Sequence, residues 1–242
     1  MPAEKTVLVT GGGTGIGQGI AHALAQTGCR VAISGRREEQ LRASAASCDA
    51  QPSIIWHSAD VACRDSVDHL MTWAQQELGQ IDVLVNSAGM NIKNRTMAEM
   101  RPEQWDEIMA VNVTGAYNCM YAVLPAMRER QDGLIININS ISGLRAAALG
   151  GVAYNASKFA MRGLGIAVGN EDNAMGIRVT NIYPGEVETP LLEQRPHPVS
   201  DSHKATILQP EDFGKLVVAI VALPPRAHVP ELTIKPTSAM FV

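Results

Sequence analysis

The chain has 242 residues, 46% apolar and 18% charged, with 20 Lys and Arg against 24 Asp and Glu for a net charge of −4. That supports one large buried core and excludes disordered and collagen-like classes, and the 4% aromatic content leaves the packing to Val, Ile, Leu, Ala and Met. Basic residues are spread without a Lys/Arg run, so neither nucleic acid nor an anionic membrane is expected as a partner.

The first β-branched run, 6–10, ends in a glycine cluster, after which Ile16, Ile20, Ala23 and Leu24 keep helical spacing until Gly28 stops it. Runs at 30–34 and 53–58 come next, then an amphipathic helix marked by Val67, Leu70, Met71, Ala74 and Leu78, and a fourth run at 81–86. After Pro102 a longer helix is predicted through Trp105, Ile108, Met109, Ala116, Met120 and Met127, with its Trp and Met residues in the core. Runs at 134–139, 177–183 and 232–235 bring the expected strands to seven. Continuous apolar runs alternating with helices predict a single-domain α/β fold over 1–242, a doubly wound parallel sheet with its functional residues just after the strands. One stretch, 186–210, breaks the alternation with Pro190, Pro196, Pro198 and Pro210, and is expected to be a substrate flap without a regular element.

Cys29, Cys48, Cys63 and Cys119 stand singly and the six histidines lack ligand spacing, so no metal site is expected. The start of the chain has no basic leader and no apolar run nears the ~18 residues of a membrane span, which predicts a cytoplasmic setting. The N-x-[ST] strings at Asn94, Asn112 and Asn155 are then accidental.

The glycine cluster reads Thr10-Gly11-Gly12-Gly13-Thr14-Gly15-Ile16-Gly17. Glycines there let backbone N–H groups and a helix N-terminus approach a pyrophosphate. Gln18 and Gly19 occupy the places where a Walker motif needs Lys and Ser or Thr. On this motif alone, a tight turn that binds nothing and a site for S-adenosylmethionine both stay open. Where a dinucleotide site has an acid for the ribose 2′-hydroxyl, the chain has Gly35-Arg36-Arg37. A guanidinium fork suits a 2′-phosphate, favouring NADP(H) with NAD(H) as second choice; the plainer reading is a solvated helix start paired with Glu38 and Glu39.

Past the midpoint come Ser140 and Tyr154-Asn155-Ala156-Ser157-Lys158. Tyr154 and Lys158 share a helix face, and Lys⁺ beside a phenol lowers its pKa, making Tyr154 a candidate general acid and base. Glycine turn, serine and Tyr/Lys pair together resemble the short-chain dehydrogenase/reductase family in its single-domain form, over nearly the whole chain. The resemblance implies a Rossmann-type sheet and cofactor contacts from Gly11, Thr14, Gly15, Ile16 and Gly17, from Asp60 and Val61, and from Asn86, Ala88 and Gly89, where Ser87 departs from the family's second Asn. It implies a tetrad of Asn112, Ser140, Tyr154 and Lys158, with Ser142 the alternative serine and Asn112 holding a relay water. Lys158 and Tyr154 would also touch the cofactor. Pro184, Gly185, Val187 and Thr189 resemble the segment that orients the nicotinamide carboxamide. Asn139 stands where many members have a second serine.

The implied activity is NADP(H)-dependent hydride transfer with a small carbonyl or secondary-alcohol substrate; a catalytically silent NADP(H) sensor is the alternative. Met90, Ile141, Ser142, Leu144, Leu149 and the flap are expected to line the substrate pocket, with Arg145 read as a solvated loop arginine in preference to an anion contact. The tail, 229–242, looks more like members acting on small ketones or hydroxy acids. The resemblance also implies a homodimer or homotetramer through the two long helices, which carry Met109, Met120, Phe159 and Leu164.

Overall fold

The structure, a computed structural model, describes residues 4–240. Met1, Pro2 and Ala3 at the start and Phe241 and Val242 of the tail, on which part of the leader and tail expectations rest, lie outside the described residues. The β-branched runs form β1 (Thr6–Thr10), β2 (Arg30–Gly35), β3 (Ile55–Ser58), β4 (Val83–Asn86), β5 (Gly133–Ile138), β6 (Ile177–Pro184) and β7 (Glu231–Ile234). All pair in parallel in one sheet of order β3-β2-β1-β4-β5-β6-β7. Every residue of β1, β4 and β5 is buried, which only helices on both faces allow, and so these strands read as unbroken apolar runs. The order reverses between β1 and β4, opening a crevice beyond their carboxyl ends.

On one face, Ile20 and Leu24 of α1 (Gly15–Gln26) pack with Phe213 and Val217 of α8 (Pro210–Val221), and α2 (Glu38–Ala46) adds Leu41. The other face is covered by α3 (Arg64–Leu78), α5 (Gly115–Arg130) and α6 (Val152–Asp172), through Leu70, Met120, Met127 and Met161. Each such fully buried side chain is worth about 1.5–3 kcal/mol. Among the described residues, no helix is long and apolar enough to cross a membrane.

The long helix expected after Pro102 is three pieces: α4 (Pro102–Met109), a π turn (Ala110–Thr114) and α5. Spacing counted straight through the π turn loses its phase, since one wide turn rotates α4 against α5 about the helix axis. Hence Met120 and Met127 are in the core as expected, whereas Trp105 is 38% exposed and Met109 only half-buried. Of the residues weighed for a helix-to-helix interface, Met120 is spent in the core, Leu164 packs against it, and Phe159 stays exposed. The segment expected to lack regular structure carries a 3-10 turn (Pro190–Gln194) and α7 (Asp201–Lys204), because Pro190 sits at a first helical position and Ser200 caps the His203 N–H.

Candidate active site

Two cavities meet above the strand ends. The first, about 560 Å³, runs along the crevice. Gly11, Thr14, Gly15, Ile16 and Gly17 line it from the glycine turn, Arg36 and Arg37 from the end of β2, Asp60 and Val61 from the end of β3, and Ala88 and Gly89 from the end of β4. Tyr154, Lys158 and Thr189 close its far end.

Backbone contact forces the turn's composition. Gly11 has φ +68°, and a Cβ on it would lie 2.7 Å from the Ala88 nitrogen; a Cβ on Gly17 would lie 2.3 Å from the Gly11 oxygen. The turn is thus pressed against the loop after β4, and the N-terminus of α1 opens into the groove without a side-chain cap or an acidic residue in its first turn. That leaves amide donors and the positive end of the helix dipole for an anion such as a pyrophosphate. Arg36 and Arg37 are exposed at the groove mouth and, among the described residues, enter no ion pair with Glu38 or Glu39, so their guanidinium forks are open to a phosphate. At Gly89 a Cβ would meet nothing closer than Asn112 Oδ1 at 3.5 Å and Lys158 Nζ at 3.8 Å, so glycine there leaves Lys158 open to a ribose. These residues fit a nicotinamide dinucleotide.

Asn86 lies in the floor and does not face the groove. Its Nδ2 donates to Asn137 Oδ1 (3.0 Å), and Asn137 Nδ2 donates to Asn181 Oδ1 (3.1 Å), a buried amide ladder across β4, β5 and β6 that matches their register. Asn112 is likewise beneath the surface. On the π turn and fully buried, it donates to the Met90 carbonyl and to Ser157 Oγ, both at 3.0 Å, and accepts from the Met90 N–H at 2.8 Å. It thereby pins the loop that carries Gly89 and Met90.

The second cavity, about 350 Å³, is walled by Ile141, Ser142, Leu144, Leu149, Leu191 and Leu192, with Pro184, Gly185 and Val187 on its strand side. Tyr154, Asn139 and Thr189 line both cavities and mark their junction. Met90, expected in this pocket, lines the groove. Arg145, expected in solvent, lines the pocket with its Nη1 buried, because the 3-10 turn Ile141–Gly143 and the bond from its N–H to the Ile141 carbonyl (3.1 Å) fold it inward.

At the junction, Tyr154 on the first turn of α6 lies within hydrogen-bonding reach of Ser140, whose Oγ accepts from the Ser142 N–H at 3.1 Å. One turn on, Lys158 Nζ sits 5.6 Å from the Tyr154 ring centre and donates to the Ile138 carbonyl at 3.1 Å. Burial pushes the Tyr154 phenol above its ordinary pKa, opposed by the Ser140 hydrogen bond and by the Arg95 charge. The expected lowering by Lys158 is therefore not what governs this site, since the ammonium points at a carbonyl and is itself drawn down to about 8 by burial.

Two residues of the site were not among the expected site residues, although Asn139 was noted where many members of the family have a second serine. Arg95 is 5% exposed in the pocket wall, donating from Nε to the Ile92 carbonyl (2.6 Å), from Nη1 to the Leu149 carbonyl (3.0 Å) and from Nη2 to the Gln194 carbonyl. Only Gly151, at φ +79°, hinted at it: a Cβ there would lie 2.5 Å from the Arg95 Cβ. Asn139 is 3% exposed and lines both cavities, and its two side-chain polar atoms are buried without a partner among the described residues.

Comparison with known proteins agrees with this geometry. The short chain dehydrogenase family model matches residues 5–199. An uncharacterized oxidoreductase of Staphylococcus epidermidis is 32% identical over 96% of this chain and 97% of its own, and one from Staphylococcus aureus N315 is 34% identical over the same shares. Among solved structures, an alcohol dehydrogenase of Thermococcus sibiricus complexed with 5-hydroxy-NADP superposes with TM-score 0.88 at 25% identity, over 98% of this chain and 99% of that one. A serine dehydrogenase complexed with NADP⁺ gives 0.87 at 29% identity, over 98% and 96%. With a seven-stranded parallel sheet, a glycine turn at the strand crossover and this match over most of its length, the chain belongs to the short-chain dehydrogenase family of oxidoreductases.

Proposed function

We propose that the protein interconverts a carbonyl and a secondary alcohol with NADP(H). The observation that carries this reading is the place of Tyr154, at the junction of groove and pocket and within hydrogen-bonding reach of Ser140. NADPH, when bound, supplies the hydride. Ser140 holds the substrate oxygen, and Tyr154, a phenol whose burial raises its pKa further above neutral pH, gives that oxygen its proton in the reductive direction. Lys158 faces the ribose position left open by Gly89 and carries the proton supply back from the phenol. Asn112 fixes the loop between them. Arg36 and Arg37 support the NADP(H) preference, and relatives in the structural comparison that carry NADP⁺ point the same way.

Residues 186–210 act in this reading as a substrate flap. Leu191 reaches both cavities; the segment is folded on itself by Arg195 to Glu186 (2.7 Å) and by His203 to Glu186 (2.9 Å), and is tied to the loop after β4 by Arg95 to the Gln194 carbonyl. We place the protein in the cytoplasm as a homodimer or homotetramer, in keeping with exposed Tyr117, Tyr121 and Phe159 on α5 and α6. The test is NADPH oxidation monitored at its nicotinamide absorbance across a panel of ketones and aldehydes, beside NADPH binding by fluorescence. Turnover is expected; tight binding without turnover on any carbonyl identifies a sensor instead.

A further inference from the structure

In a chain of net charge −4, the smaller cavity is lined by Arg95, Arg145, Arg195 and Lys235 against one carboxylate, Glu186. Three of these cations are engaged. Arg195 is paired with Glu186 at 2.7 Å, Lys235 Nζ donates to the Pro236 and Ala239 carbonyls at 3.4 and 2.7 Å, and Arg95 donates to three carbonyls. The carbonyls satisfy donors without cancelling charge, so Arg95 and Lys235 still impose a positive field on the cavity. Arg145 differs: its Nη1 is buried and has no acceptor among the described residues. A guanidinium without a partner in a cavity wall is unfavourable, and a ligand carboxylate on the part of Arg145 that lines the cavity relieves that cost. Arg145 also extends from the 3-10 turn that Ser140 caps, so one turn carries both the oxygen-holding hydroxyl and a cation unpaired among the described residues.

We propose that the substrate is an anion, a short hydroxy acid or the matching oxo acid, whose carboxylate is held by Arg145 while its reacting carbon lies at Ser140 and Tyr154. The inference rests on the carbonyl–alcohol reading above and adds the substrate class. In the reductive direction the carbonyl carbon gains a hydride from NADPH, its oxygen gains the Tyr154 proton as the C=O double bond becomes a single bond, and NADP⁺ leaves; the carboxylate is unchanged. A cavity of about 350 Å³ with Leu144, Leu149, Leu191 and Leu192 in its walls suits a short aliphatic chain beside the charge.

The experiment compares 2-oxo and 3-oxo acids of three to six carbons with their own methyl esters, in the parent, Arg145→Met and Arg145→Lys. Two readouts run together: kcat/KM with NADPH, and calorimetric binding of the oxo acids to protein saturated with NADP⁺, where no reduction occurs. The parent is expected to prefer at least one acid over its ester by about tenfold or more, to lose that ratio in Arg145→Met, and to keep part of it in Arg145→Lys. Binding of the acid should weaken in the same order. Equal kcat/KM for acids and esters, or an acid preference that survives Arg145→Met, overturns the proposal. Arg145-dependent acid binding with no turnover of any carbonyl upholds the anion site and sinks the oxidoreductase reading, whereas turnover of neutral carbonyls with no acid binding does the reverse.

Discussion

The groove and the pocket are built by different means. In the groove, main chain meets main chain: Gly11 touches the loop after β4, Gly17 touches Gly11, and the ends of β1 to β4 set most of its length. In the pocket, side chains from the loop after β4, the turn after β5, the segment after β6 and the tail converge, and their charges decide what fits. Backbone contact tolerates one residue type per position, and so the groove shows in a short motif. Side-chain convergence from distant loops tolerates many solutions, so the pocket leaves no short motif.

Four experiments press on that division. Tyr154→Phe, at the junction, should lower kcat by about 100-fold or more while NADPH still binds, the scale of a lost general acid; near-parental turnover would detach chemistry from the junction. Lys158 tests the buried end of the groove. Its pKa falls from 10.5 to about 8 on folding, so between those pH values the unfolded chain holds a proton that the folded one does not, and this group's contribution to stability rises with pH across that window. The urea stability of the parent should therefore gain on Lys158→Met by up to about 3 kcal/mol between pH 8 and pH 10.5. Parallel pH curves would mean that the lysine stays charged.

Arg36→Ala should weaken NADPH by about 1–3 kcal/mol more than NADH, since only NADPH offers the phosphate to a charge-assisted bond. Equal losses would make the arginine a surface residue and the groove indifferent to the cofactor's 2′-phosphate. The smallest effect belongs to the pocket roof. Replacing Leu192, which lines the pocket and not the groove, with Ser should raise KM several-fold and alter substrate preference, with NADPH affinity nearly unchanged, and hydrogen exchange at 191–202 should slow when cofactor and substrate are both present. Unchanged exchange would show a roof that does not close.

All seven strands and the parallel sheet were legible in the sequence, and most of the expected cofactor residues line the groove, because period and glycine placement are local properties of the backbone. Three things were not. The π turn is invisible to a count that assumes one period, and it carried Trp105 out to 38% exposure. Arg95 reads as an ordinary loop arginine until the long-range contact with Gly151 buries it. The side chain of Asn86 belongs to a motif of the groove, yet its partner is Asn137, 51 residues away on the next strand.

The π turn also makes this chain sensitive to length at one place. Helices ordinarily accept substitutions more readily than a change in residue number, and Ala110–Thr114 holds the one surplus residue that sets α4 against α5. Deleting a single residue there would restore ordinary helical winding, turn α4 by about 100° and draw it in by about 1.5 Å. Asn112 would then leave both the Met90 backbone and Ser157. A deletion of one residue, harmless to the helix as a helix, would unfasten the loop that carries Gly89 and Met90 along the groove.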